Sequence, residues 1–193
     1  MGCTCTCLPG HDVIDLTLNG KKYKIAKNPV QGIHGVVYRV IGGRYDGGYA
    51  KTKISEQEIR ATAAVGALWK VGRDEHREKW IIVKPSPGKY LKLTSAYRHV
   101  RHNPEQCWAL LEHAVEAATN AILDSYHRTH WLHEDPILAN LFFNDQVSQA
   151  YLIDWGCASQ PSSVRREDVK ALVAYEVMRP HVCGPRPASM CPP

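Results

Sequence analysis

The sequence holds no apolar run near the roughly 18 residues that a membrane-spanning helix needs, and its polar start around Gly10 and His11 offers no secretory leader. A dominant charge of one sign is lacking too. The 24 Lys and Arg are interspersed with 19 Asp and Glu, so the net charge of +5 forms no basic stripe and no nucleic-acid partner is expected. Seven cysteines, an odd number crowded at the two ends, make a poor disulfide framework and point to a reducing, cytoplasmic setting. No second Cys/His pair follows Cys3, Cys5 and Cys7 at a zinc spacing, and there is no internal repeat. What remains is a chain of 193 residues, 44% apolar and 22% charged, the profile of a folded globular domain.

The first six residues fit M-G-x-x-x-[ST], in which Gly2 becomes the amine that takes a myristoyl chain. Cys3 and Cys5, with Cys7 beside them, are thiols placed for palmitate. One myristoyl chain holds a membrane only marginally, so a second acyl group supplies what stable anchoring requires. Residues 1–11 are therefore expected to be a disordered, acylated start, with the protein peripheral at a membrane in a eukaryotic cytosol, its own or a host's.

Residues 12–18 alternate toward a strand, and Asn19-Gly20 is a strong hairpin signal before residues 22–26. Two more β-rich runs follow at 35–41 and 48–54, joined by a Gly/Asp-rich segment. A helix is expected from Glu56 to Leu68, a solvated loop over 73–79, and a buried strand at 80–83 that ends at Pro85-Ser86-Pro87-Gly88. Asn103 as N-cap and Pro104 at the first position start a long helix, along which Leu110, Leu111, Ala114, Val115, Ala118, Ile122 and Tyr126 recur at three-and-four spacing. Short strands at 141–143 and 151–153 flank a turn, a last helix covers 166–178, and residues 182–193, with four prolines and no periodicity, are expected to be a disordered tail.

The chemistry-bearing residues gather in two loops of the second half. Asn140 follows Asp135 by five residues, and Asp154 follows Asn140 by fourteen across the hairpin-like segment. That hairpin returns Asp154 to Asn140 and makes an oxygen-rich pocket suited to Mg²⁺, a hard cation usually shared with phosphates. Asp135 sits beside it to accept a hydroxyl proton.

His133-Glu134-Asp135 with Asn140, followed by Asp154-Trp155-Gly156, resembles the H-R-D-x-x-x-x-N and D-F-G segments of the protein-kinase superfamily, with Glu134 in place of Arg and Trp155 in place of Phe. In the first half, Gly32 and Gly35 followed by Val37 resemble the end of the glycine-rich loop G-x-G-x-x-G-x-V, with Val30 where the first glycine stands. The resemblance runs from about Lys22 to Met178. It implies a bilobal α+β fold: a β-rich N-lobe over 12–84 and a reduced helical C-lobe over 85–181. It also implies ATP and Mg²⁺ as cofactors. Lys53, sixteen residues after Val37, is the preferred phosphate-holding lysine and Lys51 the substitute; Glu58 is the carboxylate that holds the lysine, with Glu56 second. Val83 lies on the strand that resembles the adenine-binding hinge, and Asp168 resembles the residue that braces the catalytic loop. Asp135 takes the acceptor proton, while Asn140 and Asp154 hold the metal.

Only 37 residues follow Gly156, without an A-P-E segment, so the extent resembles that of minimal kinases and compact effector kinases injected by bacteria. The activity implied is phosphorylation of Ser, Thr or Tyr hydroxyls of a protein at a membrane surface. A small-molecule kinase of the aminoglycoside or choline type and a pseudokinase that binds partners are the alternatives.

Overall fold

Asn19 and Gly20 both take positive φ, 49° and 77°, in the turn sense that matches the right-handed twist of paired strands. They join β1 (Val13–Leu18) to β2 (Lys21–Lys27) with Leu18 opposite Lys21, as the Asn-Gly pair implies. The structure, a computed structural model, describes residues 13–27, 36–178 and 183–184. Strands β3 (Val37–Ile41), β4 (Tyr49–Thr52), β5 (Leu68–Arg73) and β6 (Lys79–Val83) complete an antiparallel sheet in the order β1-β2-β3-β4-β6-β5. The fold class is α+β, with this large antiparallel sheet and four helices among the described residues.

The chain forms two units, an N-terminal one of residues 1–59 and 66–85 and a C-terminal one of residues 60–65 and 86–193. In the first, Leu16, Leu18, Ile25, Val40, Ala50, Trp80 and Ile82 form the core, because alternate side chains of each strand turn to the same face. Tyr38 packs its ring 5.8 Å from that of Trp80. Helix α1 (Glu56–Ala64) is capped by Ser55, whose Oγ accepts from the Glu58 N–H at 3.0 Å.

That helix is shorter than expected. Gly66 at φ 74° turns the chain, and residues 68–73, for which the sequence pattern predicts no strand, pair as β5 with β6. Gly72 also sets how near β5 comes to β1: a Cβ there would stand 2.8 Å from Leu18 Cβ, so only glycine lets these two strands come so close. Asn19 then exchanges two bonds of 2.9 Å with Arg73, its N–H donating to the Arg73 carbonyl and its Oδ1 accepting from the Arg73 N–H.

In the C-terminal unit, β7 (Lys89–Tyr90) leads through α2 (Ser95–Val100) to the long helix α3 (Pro104–Thr129). Asn103 caps α3 by accepting from the Gln106 N–H at 3.1 Å, and all seven of its expected apolar positions are buried. After it come β8 (Leu132–His133), β9 (Leu141–Phe143), β10 (Ala150–Leu152), β11 (Ala158–Ser159) and α4 (Arg166–Met178). β9 sits between β10 and β7, and β8 pairs with β11. Val169, Val173 and Val177 of α4 share one core with α3, Leu141 and Phe143. Arg166 and Lys170 hold Glu116 of α3 by charge-assisted bonds, the former at 2.8 Å, and these neighbours keep the Glu116 carboxyl below its usual range.

One expectation about cysteine is overturned here. Cys107 and Cys183 form a disulfide across 76 residues of sequence, where the cysteine pattern predicts no such framework. Odd number and clustering are the grounds for that expectation, and neither reports which two sulfurs a packed core brings together. Cys183 lies in the segment expected to be a disordered tail, yet it is buried in the core of α3 and α4. No helix among the described residues is long and apolar enough to cross a membrane. The acylation residues Gly2, Cys3 and Cys5 lie outside the described residues, as do Gly32 and Gly35.

Candidate functional site

Two short pairings stitch the expected loops of the C-terminal unit together. β9 and β10 are antiparallel with Leu141 opposite Leu152, and the Ile153 N–H donates to the Asn140 carbonyl at 3.1 Å. At the other end β8 pairs with β11, His133 opposite Ala158, and the Glu134 N–H donates to the Cys157 carbonyl at 3.1 Å. The hairpin therefore returns Asp154 to the neighbourhood of Asn140, as its length and turn residues imply.

Within the first loop, Asn140 is buried, and its Nδ2 donates to the backbone oxygen of Asp135 at 3.0 Å and to Asp135 Oδ2 at 2.9 Å. With the amide nitrogen committed to Asp135, Oδ1 is the acceptor end of the side chain. Asp154 is exposed and sits in the left-handed region at φ 58°, ψ 80°, where its Oδ1 accepts from the Gly156 N–H at 3.4 Å. A non-glycine residue held there costs of order 1–3 kcal/mol and persists where the surroundings determine it, as at many sites of chemistry.

His133 touches both chain neighbours of Asp154. It is 1% exposed, and its Nε2–H donates to the Ile153 carbonyl at 2.9 Å. A carbonyl can only accept, so the ring carries its proton on Nε2, while the buried Nδ1 has no hydrogen-bond partner. Burial pushes the His133 pKa below its ordinary value, against the opposing pull of the Ile153 carbonyl and of the Asp135 and Asp154 charges. The ring also meets Trp155 nearly edge-on, with centroids 4.9 Å apart. Trp155 in turn packs with Ala61, Trp131 and Ala158. His133 is a neutral strut between the two loops.

A pH dependence of stability follows from that neutral strut. The folded pKa of His133 is lowered, so below about pH 6.5 the unfolded chain takes a proton that the folded chain refuses. Stability present above that pH is lost as pH falls, by up to about 1.4 kcal/mol per unit until the folded pKa is reached. Melting curves followed by circular dichroism at pH 7.5 and 5.5 are expected to show a larger loss for the wild type than for His133→Gln. Equal losses would place the acid sensitivity elsewhere.

The N-terminal unit holds the other expected residues. Lys51 Nζ donates to Glu58 Oε1 at 2.8 Å, both side chains being largely buried. This corrects the preference for Lys53. The argument that both lysines share one strand face needs the strand to continue through residue 53, but β4 ends at Thr52 and Lys53 turns out at φ 57° into solvent. Glu58 is 5% exposed and is the partner of Lys51, whereas Glu56 bonds Lys79. Val37 stands opposite Lys51 across β3 and β4, and Val83 stands opposite Tyr49 across β4 and β6. The capping pattern Ser55-x-x-Glu58 was a signal in the sequence that fixes the phase of α1 and so selects Glu58.

Asp168 does not bond the backbone of the loop that carries Asp135 and Asn140, the role expected for it. It makes a two-pronged ion pair with Arg165, at 2.8 and 2.7 Å, and is well exposed, with its carboxyl held below the usual range by that guanidinium. Glu134 accepts from the Ser159 hydroxyl. Beside Glu134 lies a cavity of about 410 Å³ lined by Leu132, His133, Ser163, Arg165, Val169 and their neighbours, a feature no motif announced.

No three His, Cys, Asp or Glu side chains gather at metal-binding distance among the described residues. The side chains that meet in the first loop are the Asn140 amide and the Asp135 carboxylate. A scan against models of protein families finds none that matches the chain, and a search of curated proteins finds no match.

Proposed function

We propose that the chain is an ATP- and Mg²⁺-dependent phosphotransferase with a bilobal, protein-kinase-like architecture. Its acceptor is a Ser, Thr or Tyr hydroxyl of a protein at a membrane surface, which it reaches through acylation at Gly2. The observation that carries the reading is the Asn140 side chain, which binds Asp135 through Nδ2 while its own backbone carbonyl holds the strand leading into Asp154. These bonds support reading Asp135 as the base and Asn140 and Asp154 as the oxygen donors, all within the C-terminal unit. The Lys51–Glu58 ion pair lends independent support, since a lysine held by a buried carboxylate on a neighbouring helix is oriented to meet phosphate oxygens.

In this reading Asp135 orients the acceptor hydroxyl and takes its proton, with the Asn140 amide fixing the carboxylate's orientation. Asn140 Oδ1 and the Asp154 carboxylate hold the cation, and Lys51 steadies the phosphates. A bound Mg²⁺ would supply positive charge against the transferring phosphoryl group. The neutral His133 takes no part in proton transfer and keeps Asp154 in its left-handed conformation.

The test is incubation of purified acylated protein with γ-labelled ATP, Mg²⁺ and a membrane-containing lysate, beside Asp154→Ala and Gly2→Ala. Label on protein bands that vanishes with Asp154→Ala, and shrinks in the membrane fraction with Gly2→Ala, is the expected result. Full transfer by Asp154→Ala would remove the metal assignment. Label confined to small molecules would move the acceptor to the aminoglycoside or choline type, and nucleotide binding without transfer would make the chain a pseudokinase.

A further inference from the structure

The disulfide is the feature that the proposed reaction does not use. Cys107 lies in the first turn of α3 and is fully buried; Cys183 lies beyond α4 and is 7% exposed. Their bond closes a covalent ring that contains α3, both loops of the candidate site and α4. Both cysteines belong to the core that also holds Leu141, the residue after Asn140, and Val169, Val173 and Val177 of α4. The crosslink therefore bears on the same packing that positions Asn140.

The start of the chain sharpens what this bond means. An M-G-x-x-x-[ST] signal is read in the cytosol, where thiols are kept reduced and the disulfides that do form are mostly transient or sensing. We propose that Cys107 and Cys183 form a reversible thiol–disulfide latch, closed when the protein is oxidised and opened by a protein dithiol. This inference rests on the acylation signal and the crosslink, not on phosphotransfer.

The chemistry balances with a dithiol as co-reactant. A thiolate of the reductant attacks Cys183 Sγ, the less buried of the two; the sulfur–sulfur bond breaks, and Cys107 leaves as a thiolate that takes a proton. The reductant's second thiol then displaces Cys183 from the mixed disulfide. One disulfide is lost in this chain and one is formed in the reductant, with two electrons and two protons passing to the cysteines. Oxidation by a disulfide of the same class runs the steps backward. Opening the ring restores conformational freedom to the unfolded chain across the whole enclosed segment, so the reduced form is less stable.

The experiment uses the full-length protein, first oxidised and then titrated with thioredoxin and its reducing system in a glutathione buffer of cytosolic ratio. Thiols are trapped by alkylation and assigned by peptide mass spectrometry, and melting is followed in parallel. The expected result is stoichiometric appearance of alkylated Cys107 and Cys183 with a fall in Tm of about 5–15 °C. The fall should reverse on reoxidation, and Cys183→Ser should melt like the reduced wild type and ignore the reductant. A pair that stays bonded throughout the titration would make the crosslink a fixed staple and overturn the latch. Reduction that leaves Tm unchanged, or reduced wild type that cannot be reoxidised to the same pair, would overturn it as well. The titration is made on the wild type, so it decides between latch and staple even where the Cys183→Ser chain fails to fold.

Discussion

Lys51→Met is expected to lower phosphoryl transfer roughly 10²–10³-fold, the usual cost of removing one oriented donor to developing charge, while Lys53→Met stays near wild type. The difference comes from backbone geometry: Lys51 lies on β4 and donates to Glu58, whereas Lys53 lies past the strand end at φ 57° and faces solvent. Lys51→Met also strands the Glu58 carboxylate in a buried position, which costs about 3–5 kcal/mol where such a pair is fully desolvated and less here, since both side chains keep some exposure. Stability and activity must therefore be read separately. The double variant Lys51→Met with Glu58→Gln removes the stranded charge and should recover most of the lost Tm without recovering transfer. Recovery of both would mean that the pair is structural. Activity lost in Lys53→Met and kept in Lys51→Met would reverse the assignment of the lysine.

Asp135→Asn is expected to cut transfer by about 10²–10⁴-fold, the usual contribution of a positioned general base. The substitution is chosen because an Asn at this position still offers an oxygen to Asn140 Nδ2, which also keeps its bond to the backbone carbonyl of residue 135. The loop should therefore hold its shape and Tm should change little. Steady-state kinetics with a protein acceptor would show the loss in kcat, with the KM for ATP nearly unchanged. A loss confined to KM would make Asp135 a binding residue, and an unchanged rate would leave the reaction without its base.

Much of this was legible before folding because several signals are local. Asn19-Gly20 specified a two-residue hairpin turn, Asn103 with Pro104 specified the start of α3, and three-and-four spacing picked out its buried face. The two acidic loops were legible for the same reason: their spacing fits a short hairpin, and β9 and β10 form one. Order and spacing along the chain single out Asp135, Asn140 and Asp154, while Glu58 rests on the resemblance to kinases.

Other features depended on contacts between residues far apart in sequence, about which local pattern is silent. β5 is a strand by its pairing with β6 and comes close to Leu18 of β1 only through Gly72, and no window of sequence around residue 72 reports either neighbour. Lys51 and Lys53 are equivalent by strand periodicity, and a single positive φ at the strand's end separates them. Asp168 answers to Arg165 on its own turn of chain, not to the loop to which its place in the order assigned it. Cys107 and Cys183 are 76 residues apart and meet because α3 and α4 bury one core between them. Chain order and residue type thus decided the chemistry on offer: two carboxylates, an amide, and a lysine with its glutamate. Tertiary packing decided which lysine meets Glu58, which cysteines pair and which way these side chains face, because those choices turn on strand ends, close approaches and buried neighbours that exist only once the chain has folded.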